Sequence, residues 1–258
     1  MLKVGIIGIS GRMGHTIWDV CLGLEGVKVV CGICQKNTPL PIGCNVETSE
    51  KFSELKTLPD LFIDFSRPVV TMELLEFAKE HHIALVIGTT GFDGDQREKI
   101  KAAAKVVPVV MAANFSVGVN VMLALIEKAA AVMQDADLEI VEVHHRYKVD
   151  APSGTALAMG EAAAKGRNVN LKDVMVSGRN GITGERRYGT IGFSSVRGGD
   201  IVGEHNAMFC YDGERVDIGH VATSRATFAR GAVKAATWLE GKKPGLYSLT
   251  EVLGLDKI

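Results

Sequence analysis

Near its amino terminus the chain reads Leu2-Lys3-Val4-Gly5-Ile6-Ile7-Gly8-Ile9-Ser10-Gly11-Arg12-Met13-Gly14, an apolar run followed by glycines at every third position. The apolar run is typical of a buried parallel strand. Glycines placed between a strand and a helix allow a tight turn and let the backbone approach a pyrophosphate. The turn therefore predicts a dinucleotide site in a Rossmann-type domain. A purely structural strand-to-helix turn is the alternative, because the spacing differs from the commoner Gly-x-Gly-x-x-Gly.

Short apolar runs alternate with segments of helical spacing over the first 115 residues. This alternation predicts a parallel sheet with helices on both faces. The expected strands are residues 2–7, 27–33, 61–65, 84–87 and 107–111. The expected helices run from the glycine turn to about residue 24, over 69–81 and over 95–104.

The pattern changes after residue 115. It predicts a long helix over 118–133, a strand over 138–144 and a short helix over 155–164. Residues 190–223 then read as three strands, with Gly198-Gly199 and Asp212-Gly213 at hairpin turns, which predicts a mixed, largely antiparallel sheet. A helix over 225–239 is expected to pack back on the first domain, and the glycine-rich segment 177–189 is expected to be a mobile loop.

These patterns predict an α/β protein with two domains. Residues 1–115 and 226–258 form the dinucleotide-binding domain, and residues 116–225 form a domain for substrate binding and oligomerisation.

Composition and charge restrict the partners. A net charge of −1 over 258 residues gives no overall field to attract nucleic acid or an anionic membrane. No apolar run approaches the roughly 20 residues of a membrane span, and the first one breaks at Gly8, which argues against a signal peptide. The five cysteines lack metal-ligand spacing, apart from an isolated Cys31-x-x-Cys34. We expect a cytoplasmic protein without a metal site.

The second expected strand ends in Ile33-Cys34-Gln35-Lys36, without the acidic residue that chelates the ribose of NADH. Lys36 can instead meet the extra phosphate of NADPH, or it can be an ordinary solvated loop residue. The sequence therefore predicts that NADPH is used at least as well as NADH.

The most informative segment runs from Glu139 through His144-His145-Arg146-Tyr147-Lys148 to Pro152-Ser153-Gly154-Thr155-Ala156. A strand here ends in a cluster of proton donors, with His144, Arg146 and Lys148 on one face while the chain stays extended. Ser153 or Thr155 can cap the helix that follows, and Gly154 exposes N–H groups to an anion. Each part has a purely structural alternative, but their combination predicts an anion site equipped for proton transfer.

This segment resembles the signature Glu-x-His-His-x-x-Lys-x-Asp-x-Pro-Ser-Gly-Thr-Ala of the 4-hydroxy-tetrahydrodipicolinate reductase family, also called dihydrodipicolinate reductases. The resemblance extends over nearly the whole chain. It includes Gly8–Gly14 and the segments 64–68, 88–92, 113–120 and 197–205, in the same order.

The resemblance implies reduction of 4-hydroxy-2,3,4,5-tetrahydrodipicolinate, a cyclic imine with two carboxylates, to 2,3,4,5-tetrahydrodipicolinate in diaminopimelate and lysine biosynthesis. It also implies a homotetramer. His144 is similar to the catalytic acid/base and Lys148 to the proton donor. The residues implied for the substrate are His145, Gly154, Thr155 and Arg225. Those implied for NADPH or NADH are Gly8, Ile9, Ser10, Gly11, Arg12, Met13, Gly88, Thr89, Thr90, Ala112, Ala113, Asn114 and Phe115. NADH-preferring members carry an acid where this chain has Cys34 or Gln35.

Two other classes remain as alternatives. The first is another small Rossmann reductase, such as a semialdehyde or homoserine dehydrogenase. A semialdehyde dehydrogenase needs a cysteine nucleophile near a base, and no cysteine here neighbours a histidine in sequence. The second is a dinucleotide-sensing regulator without turnover, which leaves His144 and Lys148 without a purpose.

Overall fold

The computed structural model describes residues 1–257, which form two compact units. The first comprises residues 1–117 and 225–257, and the second comprises residues 118–224. In chain order the elements are β1 (Leu2–Ile7), α1 (Arg12–Leu22), β2 (Val27–Ile33), β3 (Glu47–Ser49), β4 (Leu61–Asp64), α2 (Pro68–His81), β5 (Ala84–Ile87), α3 (Gly94–Ala103), β6 (Pro108–Met111), α4 (Val117–Val132), β7 (Asp137–His144), α5 (Gly154–Gly166), α6 (Leu171–Val174), β8 (Met175–Ser177), β9 (Ile191–Arg197), β10 (Gly203–Tyr211), β11 (Glu214–Ala222), α7 (Ala226–Leu239), β12 (Gly245–Tyr247) and α8 (Leu249–Leu253).

The first unit is built on a seven-stranded, all-parallel sheet in the order β12-β6-β5-β4-β1-β2-β3. This is the strand order of a Rossmann fold, and it confirms the predicted parallel sheet. The central strands are apolar on both sides because helices cover both faces. One face packs on α1 and α7, and the other packs on α2 and α3. The prediction that the helix beginning near residue 225 packs on this sheet is confirmed.

Two edge strands of this sheet were missed by the sequence patterns. The strands β3 and β12 contain three residues each, too few for any hydrophobic period to emerge. The first of them proves important, because β3 brings a second loop beside the end of β2.

The second unit contains a five-stranded mixed sheet in the order β11-β10-β7-β9-β8. The strand β10 is antiparallel to both β7 and β11, whereas β9 is parallel to β7 and β8. The predicted hairpin at Asp212-Gly213 is confirmed, with Gly213 at a φ of 87°. The hairpin predicted at Gly198-Gly199 is wrong, because β7 lies between β9 and β10. Every second residue of β7 is buried, and pairing on both sides of β7 brings β9 and β10 over the same core.

One face of this second sheet carries the core of its unit. Along β7, Leu138 and Ile140 point inward, together with Phe193 of β9 and Phe209 of β10. They pack against apolar residues of α4 and α5 such as Ile126 and Met159. Among the helices of residues 1–257, none is both long and apolar enough to cross a membrane.

The segment after β8 has no regular structure until β9 begins, as expected for a loop. It is nevertheless tied to β7, because the guanidinium of Arg186 bonds Asp137 at 2.7 Å and Glu139 at 3.0 Å. Motion of this loop remains a prediction.

Candidate active site

The carboxyl end of β7 places two ionisable side chains on the buried face of its sheet. Alternation along the strand points Glu142 and His144 to the same side as the core residue Ile140. Glu142 is completely buried and His144 is only 9% exposed. A buried carboxylate and a buried imidazole next to each other require partners, and the neighbouring strands supply them.

Glu142 is held by an arginine from the adjacent strand. Arg197, which lies opposite His144 in the register of β9 and β7, donates two hydrogen bonds of 2.8 Å to the two oxygens of Glu142. The amide of Ser153 donates a third, of 3.2 Å. Burial by itself raises the pKa of Glu142, but the hydrogen bonds from Arg197, Ser195 and His144 outweigh it and bring the pKa to about 2. Glu142 is therefore a carboxylate at every physiological pH.

This carboxylate orients the ring of His144. Nδ1 of His144 lies 2.5 Å from Oε2 of Glu142, so the proton of a neutral ring sits on Nδ1 and Nε2 carries the lone pair. A side chain at Gly203 would begin 3.0 Å from Nε2, so the glycine keeps that edge of the ring open.

A second histidine packs against the first. The ring of His205, on β10, meets that of His144 edge-on at 5.0 Å between centroids. Its Nε2 lies 3.1 Å from the hydroxyl of Ser153. Burial, followed by the proximity of His144, lowers the pKa of His205 to about 4, so this ring is neutral near pH 7.

Lys148 lies beyond the end of the strand. The strand stops at His144, and a turn follows in which the amide of Lys148 donates to the carbonyl of His145 at 3.1 Å. The predicted shared face of His144, Arg146 and Lys148 is therefore wrong, because the chain does not stay extended. The ammonium of Lys148 is 2.8 Å from Asp150, whose backbone carbonyl accepts a hydrogen bond of 2.7 Å from Arg197. Arg197 thus ties Lys148 and His144 to one scaffold.

The helix α5 begins directly after this turn. Ser153 is its N-cap and accepts a hydrogen bond of 3.2 Å from the amide of Ala156. Gly154 is exposed at the first helical position, and among the described residues nothing lies within 4 Å of where its Cβ would be. Packing therefore does not require a glycine at position 154. A helix N-terminus with an open approach is a favourable anion site.

The remaining predicted substrate residues fall in two places. Thr155 lies in the first turn of α5, and His145 is half-buried next to His144. Nδ1 of His145 is buried without a hydrogen-bond partner among residues 1–257, which leaves an atom for water or a ligand to satisfy. Arg225 is exposed at the N-cap of α7 and belongs to the first unit. The substrate contacts of all three remain predictions.

The glycine turn of the first unit fits a dinucleotide. Gly8 adopts a φ of 77°, and its amide and that of Ile9 both donate to the carbonyl of Ile33. A Cβ at Gly14 would lie 2.2 Å from the carbonyl oxygen of Gly8, so glycine is required there for α1 to approach the turn. Gly11, which has no side chain, is the N-cap of α1. The helix end is thus left to a phosphate, as this motif requires.

The other predicted cofactor residues follow the carboxyl ends of β5 and β6, at the same edge of the parallel sheet. Gly88 follows β5, and a Cβ there would lie 2.3 Å from the ring of Phe65, which itself packs on Phe115 at 5.6 Å. The hydroxyl of Thr89 accepts a hydrogen bond of 2.9 Å from the amide of Ser66. The sheet therefore gathers the segments 8–13, 88–90 and 112–115 at one edge, and their contacts with a cofactor remain predictions.

A buried aspartate that sequence reasoning missed organises these loops. Asp64, at the end of β4, is completely buried and accepts hydrogen bonds of 2.5 Å from the hydroxyls of Ser66 and Thr71. Burial raises the pKa of Asp64 in spite of these donors. Its signal in the sequence is the segment 64–68, which resembles the family but does not by itself indicate a buried carboxylate.

Lys36 is not a free cation. Its amide donates to Oε1 of Glu50 at 3.1 Å, and its ammonium lies 3.7 Å from Oε2 of the same residue. Glu50 follows the unpredicted strand β3, so an acid does stand beside the end of β2. The end of β2 is itself neutral, and the acid beside it comes from a segment that the sequence pattern did not bring to this place.

The first unit has a Rossmann-type sheet with the glycine turn Gly8–Gly14, and the second has histidines and a lysine at the end of β7. Together these features indicate a nicotinamide-dependent oxidoreductase. Family models described as dihydrodipicolinate reductase, N-terminus, and dihydrodipicolinate reductase, C-terminus, match residues 2–115 and 118–253. The chain therefore belongs to the dihydrodipicolinate reductase family. Its function is NAD(P)H-dependent reduction of 4-hydroxy-tetrahydrodipicolinate in lysine biosynthesis.

One similar solved structure is a dihydrodipicolinate reductase, and two others share the fold. The chain is 25% identical to a dipicolinate-bound dihydrodipicolinate reductase from Paenisporosarcina sp. TG-14, over 97% of this chain and 98% of that one, with a TM-score of 0.81. A diaminopimelate dehydrogenase from C. glutamicum is 10% identical over 97% and 93% of the two chains, with a TM-score of 0.55. Aspartate dehydrogenase from Thermotoga maritima is 12% identical over 94% and 98%, with a TM-score of 0.51. The latter two are similar in fold alone.

Proposed function

We propose that His144 and Lys148 handle the proton when this chain reduces 4-hydroxy-2,3,4,5-tetrahydrodipicolinate to 2,3,4,5-tetrahydrodipicolinate. The reaction takes up one hydride and one proton, and the 4-hydroxyl leaves as water. The observation that carries the proposal is the joining of a carboxylate-bound histidine, a lysine and an open helix N-terminus within the segment 142–155. The relative from Paenisporosarcina binds dipicolinate, which is itself a cyclic dicarboxylate.

The carboxylates of the substrate are assigned to the start of α5. Backbone N–H groups of Gly154 and Thr155 and the positive end of the helix dipole favour an anion there. His145 is assigned to the same carboxylate, and Arg225 assists. The open space in front of Gly154 supports this assignment.

The proton is assigned to Lys148, with His144 assisting. The hydrogen bond from Lys148 lowers the pKa of Asp150, so Asp150 is ionised. The carboxylate of Asp150 then holds the ammonium of Lys148 near the end of β7. Glu142 holds Nδ1 of His144, so proton exchange falls to Nε2. A positioned donor neutralises the charge that develops on the substrate as hydride arrives.

The first unit is assigned to the dinucleotide and the second to the substrate and to oligomerisation. When bound, the reduced nicotinamide supplies the hydride. Residues Gly8 to Met13 hold the pyrophosphate, while the segments 88–90 and 112–115 line the same edge of the sheet.

A homotetramer is assigned through the outer face of the second sheet. In the register of β9, β7, β10 and β11, the residues Val196, Val143, Glu204 and Val221 form a row on the face opposite the helices. Val196 is 48% exposed and Val221 is 61% exposed. An antiparallel sheet can leave one face to water, but exposed valines on that face favour burial by association with another copy.

The cytoplasm remains the proposed compartment, and the five cysteines are free thiols. The two buried thiols, Cys21 and Cys31, do not fit the thiolate nucleophile that a semialdehyde dehydrogenase needs. Burial raises the pKa of Cys21 and of Cys31 to about 12.

A turnover assay tests the proposal directly. Purified protein, freshly made hydroxy-tetrahydrodipicolinate and either NADH or NADPH are mixed, and oxidation of the cofactor is followed by its absorbance. We expect turnover that depends on the substrate. Binding of cofactor without turnover would support a sensing regulator instead.

A further inference from the structure

The carboxyl ends of β2 and β3 form a small acidic pocket. The two strands are parallel with Ile33 opposite Ser49, and the amide of Cys34 donates to the carbonyl of Ser49 at 3.0 Å. Glu50 therefore lies level with the residue that follows β2. A cavity of about 230 Å³ is lined by Cys34, Gln35, Lys36, Ser49, Glu50 and Glu54, among others.

The two acids of this pocket are held differently. Glu50 binds both the amide and the ammonium of Lys36, with its own side chain 42% exposed and that of Lys36 79% exposed. Glu54 accepts a hydrogen bond of 2.8 Å from the hydroxyl of Ser49. The amide of Lys36 thus holds Oε1 of Glu50 in place, while the carboxylate remains partly exposed to a ligand.

In a Rossmann domain the adenosine ribose lies beside the end of the second strand, where a carboxylate accepts a hydrogen bond from the 2′-hydroxyl. We propose that Glu50, supplied by β3, takes this role in the present chain and selects NADH over NADPH. This inference rests on the proposed function. It reverses the preference that the neutral end of β2 predicted.

The physical reason is the balance of charge around a 2′-phosphate. Such a phosphate would meet the carboxylates of Glu50 and Glu54. The ammonium nearest to each carboxylate is already engaged, that of Lys51 with Glu54 at 3.9 Å and that of Lys36 with Glu50 at 3.7 Å. A 2′-hydroxyl instead donates to the carboxylate without displacing that pair. Lys36 then offsets the charge of Glu50 and keeps NADPH from being rejected outright.

Measurements of cofactor binding distinguish the contribution of Glu50 from that of Glu54. Dissociation constants for NADH and NADPH are measured by calorimetry at one salt concentration for the wild type, Glu50→Gln and Glu54→Gln. Glu54→Gln removes the same charge from the same pocket and is the matched control, and thermal melts establish that all three proteins are folded.

We expect the wild type to bind NADH more tightly. In Glu50→Gln the ratio of the NADPH constant to the NADH constant should fall about tenfold, the scale of one charge-assisted hydrogen bond. Glu54→Gln should change the ratio by about twofold at most, as expected for a charge that acts only through a screened field.

An unchanged ratio in Glu50→Gln, or an equal fall in Glu54→Gln, would overturn the role of Glu50. A wild type that prefers NADPH would also overturn it. Failure of the wild type to bind either cofactor would overturn the proposed function itself, together with the inference that rests on it.

Discussion

Glu142 is surrounded by donors from three separate segments: Arg197 of β9, the amide of Ser153 and the ring of His144. An unpaired buried charge costs several kcal/mol, so these donors are needed for Glu142 to remain ionised. The result is a fixed tautomer for His144. Glu142 is therefore a positioning residue that acts through the histidine.

The proton-transfer roles give the first prediction. Lys148→Ala and His144→Ala should each lower kcat about a hundredfold or more, the usual effect of losing a positioned proton donor or acceptor. Affinity for the cofactor should stay at the wild-type value. Steady-state kinetics and cofactor titration measure the two effects.

Lys165→Ala is the matched control, because Lys165 is also ion-paired in the second unit, with Glu127 at 2.8 Å. It should leave kcat unchanged. Near-normal kcat in both site variants would remove His144 and Lys148 from the mechanism.

His205 makes stability depend on pH. The unfolded chain protonates this histidine near its ordinary pKa of 6.5, whereas the folded chain does so at about 4. The unfolded state therefore takes up the proton first, and the free energy of unfolding falls as the pH drops from 6.5 towards 4. The loss should reach roughly 2–3 kcal/mol.

Urea unfolding across that range measures the loss. In His205→Gln most of it should disappear, while His81→Gln, which changes an exposed histidine, should behave as the wild type. A second loss is expected below pH 4.5 as Glu142, with its folded pKa of about 2, is protonated in the unfolded chain. If His205→Gln showed the same pH dependence as the wild type, another group would be responsible for the loss of stability between pH 6.5 and 4.

At the start of α5, one residue serves the fold and the next is available for a ligand. Its Ser153 cap satisfies the amide of Ala156, and the glycine that follows is not required by packing. Under the proposed function, the glycine at position 154 keeps the approach to the first N–H groups of α5 open for a substrate carboxylate. Glycine in a helix is otherwise unfavourable relative to alanine by about 1 kcal/mol.

We therefore predict that Gly154→Ala raises KM for the substrate about tenfold, because a methyl group obstructs the carboxylate site, a cost of about 1.4 kcal/mol. Stability should be equal to or slightly above that of the wild type. Gly94→Ala is the matched control, since Gly94 is also the first residue of a helix with open space around its Cβ. An unchanged KM in Gly154→Ala would place the carboxylate elsewhere.

On the scale of the whole molecule, the family resemblance implies a tetramer, and we propose that it assembles through the open face of the second sheet. Val221→Glu puts a second carboxylate into the row of residues on this face, opposite Glu204 in the register of β10 and β11. The added charge and the lost apolar area should dissociate the assembly into smaller species. Val132→Glu, at a site that is 84% exposed at the end of α4, should leave the tetramer intact. Sedimentation velocity distinguishes these outcomes. A monomeric wild type, or a tetrameric Val221→Glu, would contradict the assignment of this face.

Local patterns were sufficient for most elements. The five expected parallel strands and their helices end within about two residues of the predicted positions, because apolar period and glycine placement are properties of contiguous residues. The glycine turn and the segment around His144 were likewise visible as motifs, and they were enough to indicate the family.

The sequence did not show which residues from other strands lie next to His144, Lys148 and Lys36. Arg197 and His205 reach the site because β9 and β10 pair on opposite sides of β7, and Glu50 reaches Lys36 because a three-residue strand pairs with β2. Strand pairing depends on burial summed over the whole sheet, to which residues far apart in the chain contribute. The motif therefore determined that His144 and Lys148 stand at a strand end. Only the tertiary structure decided which charges surround them.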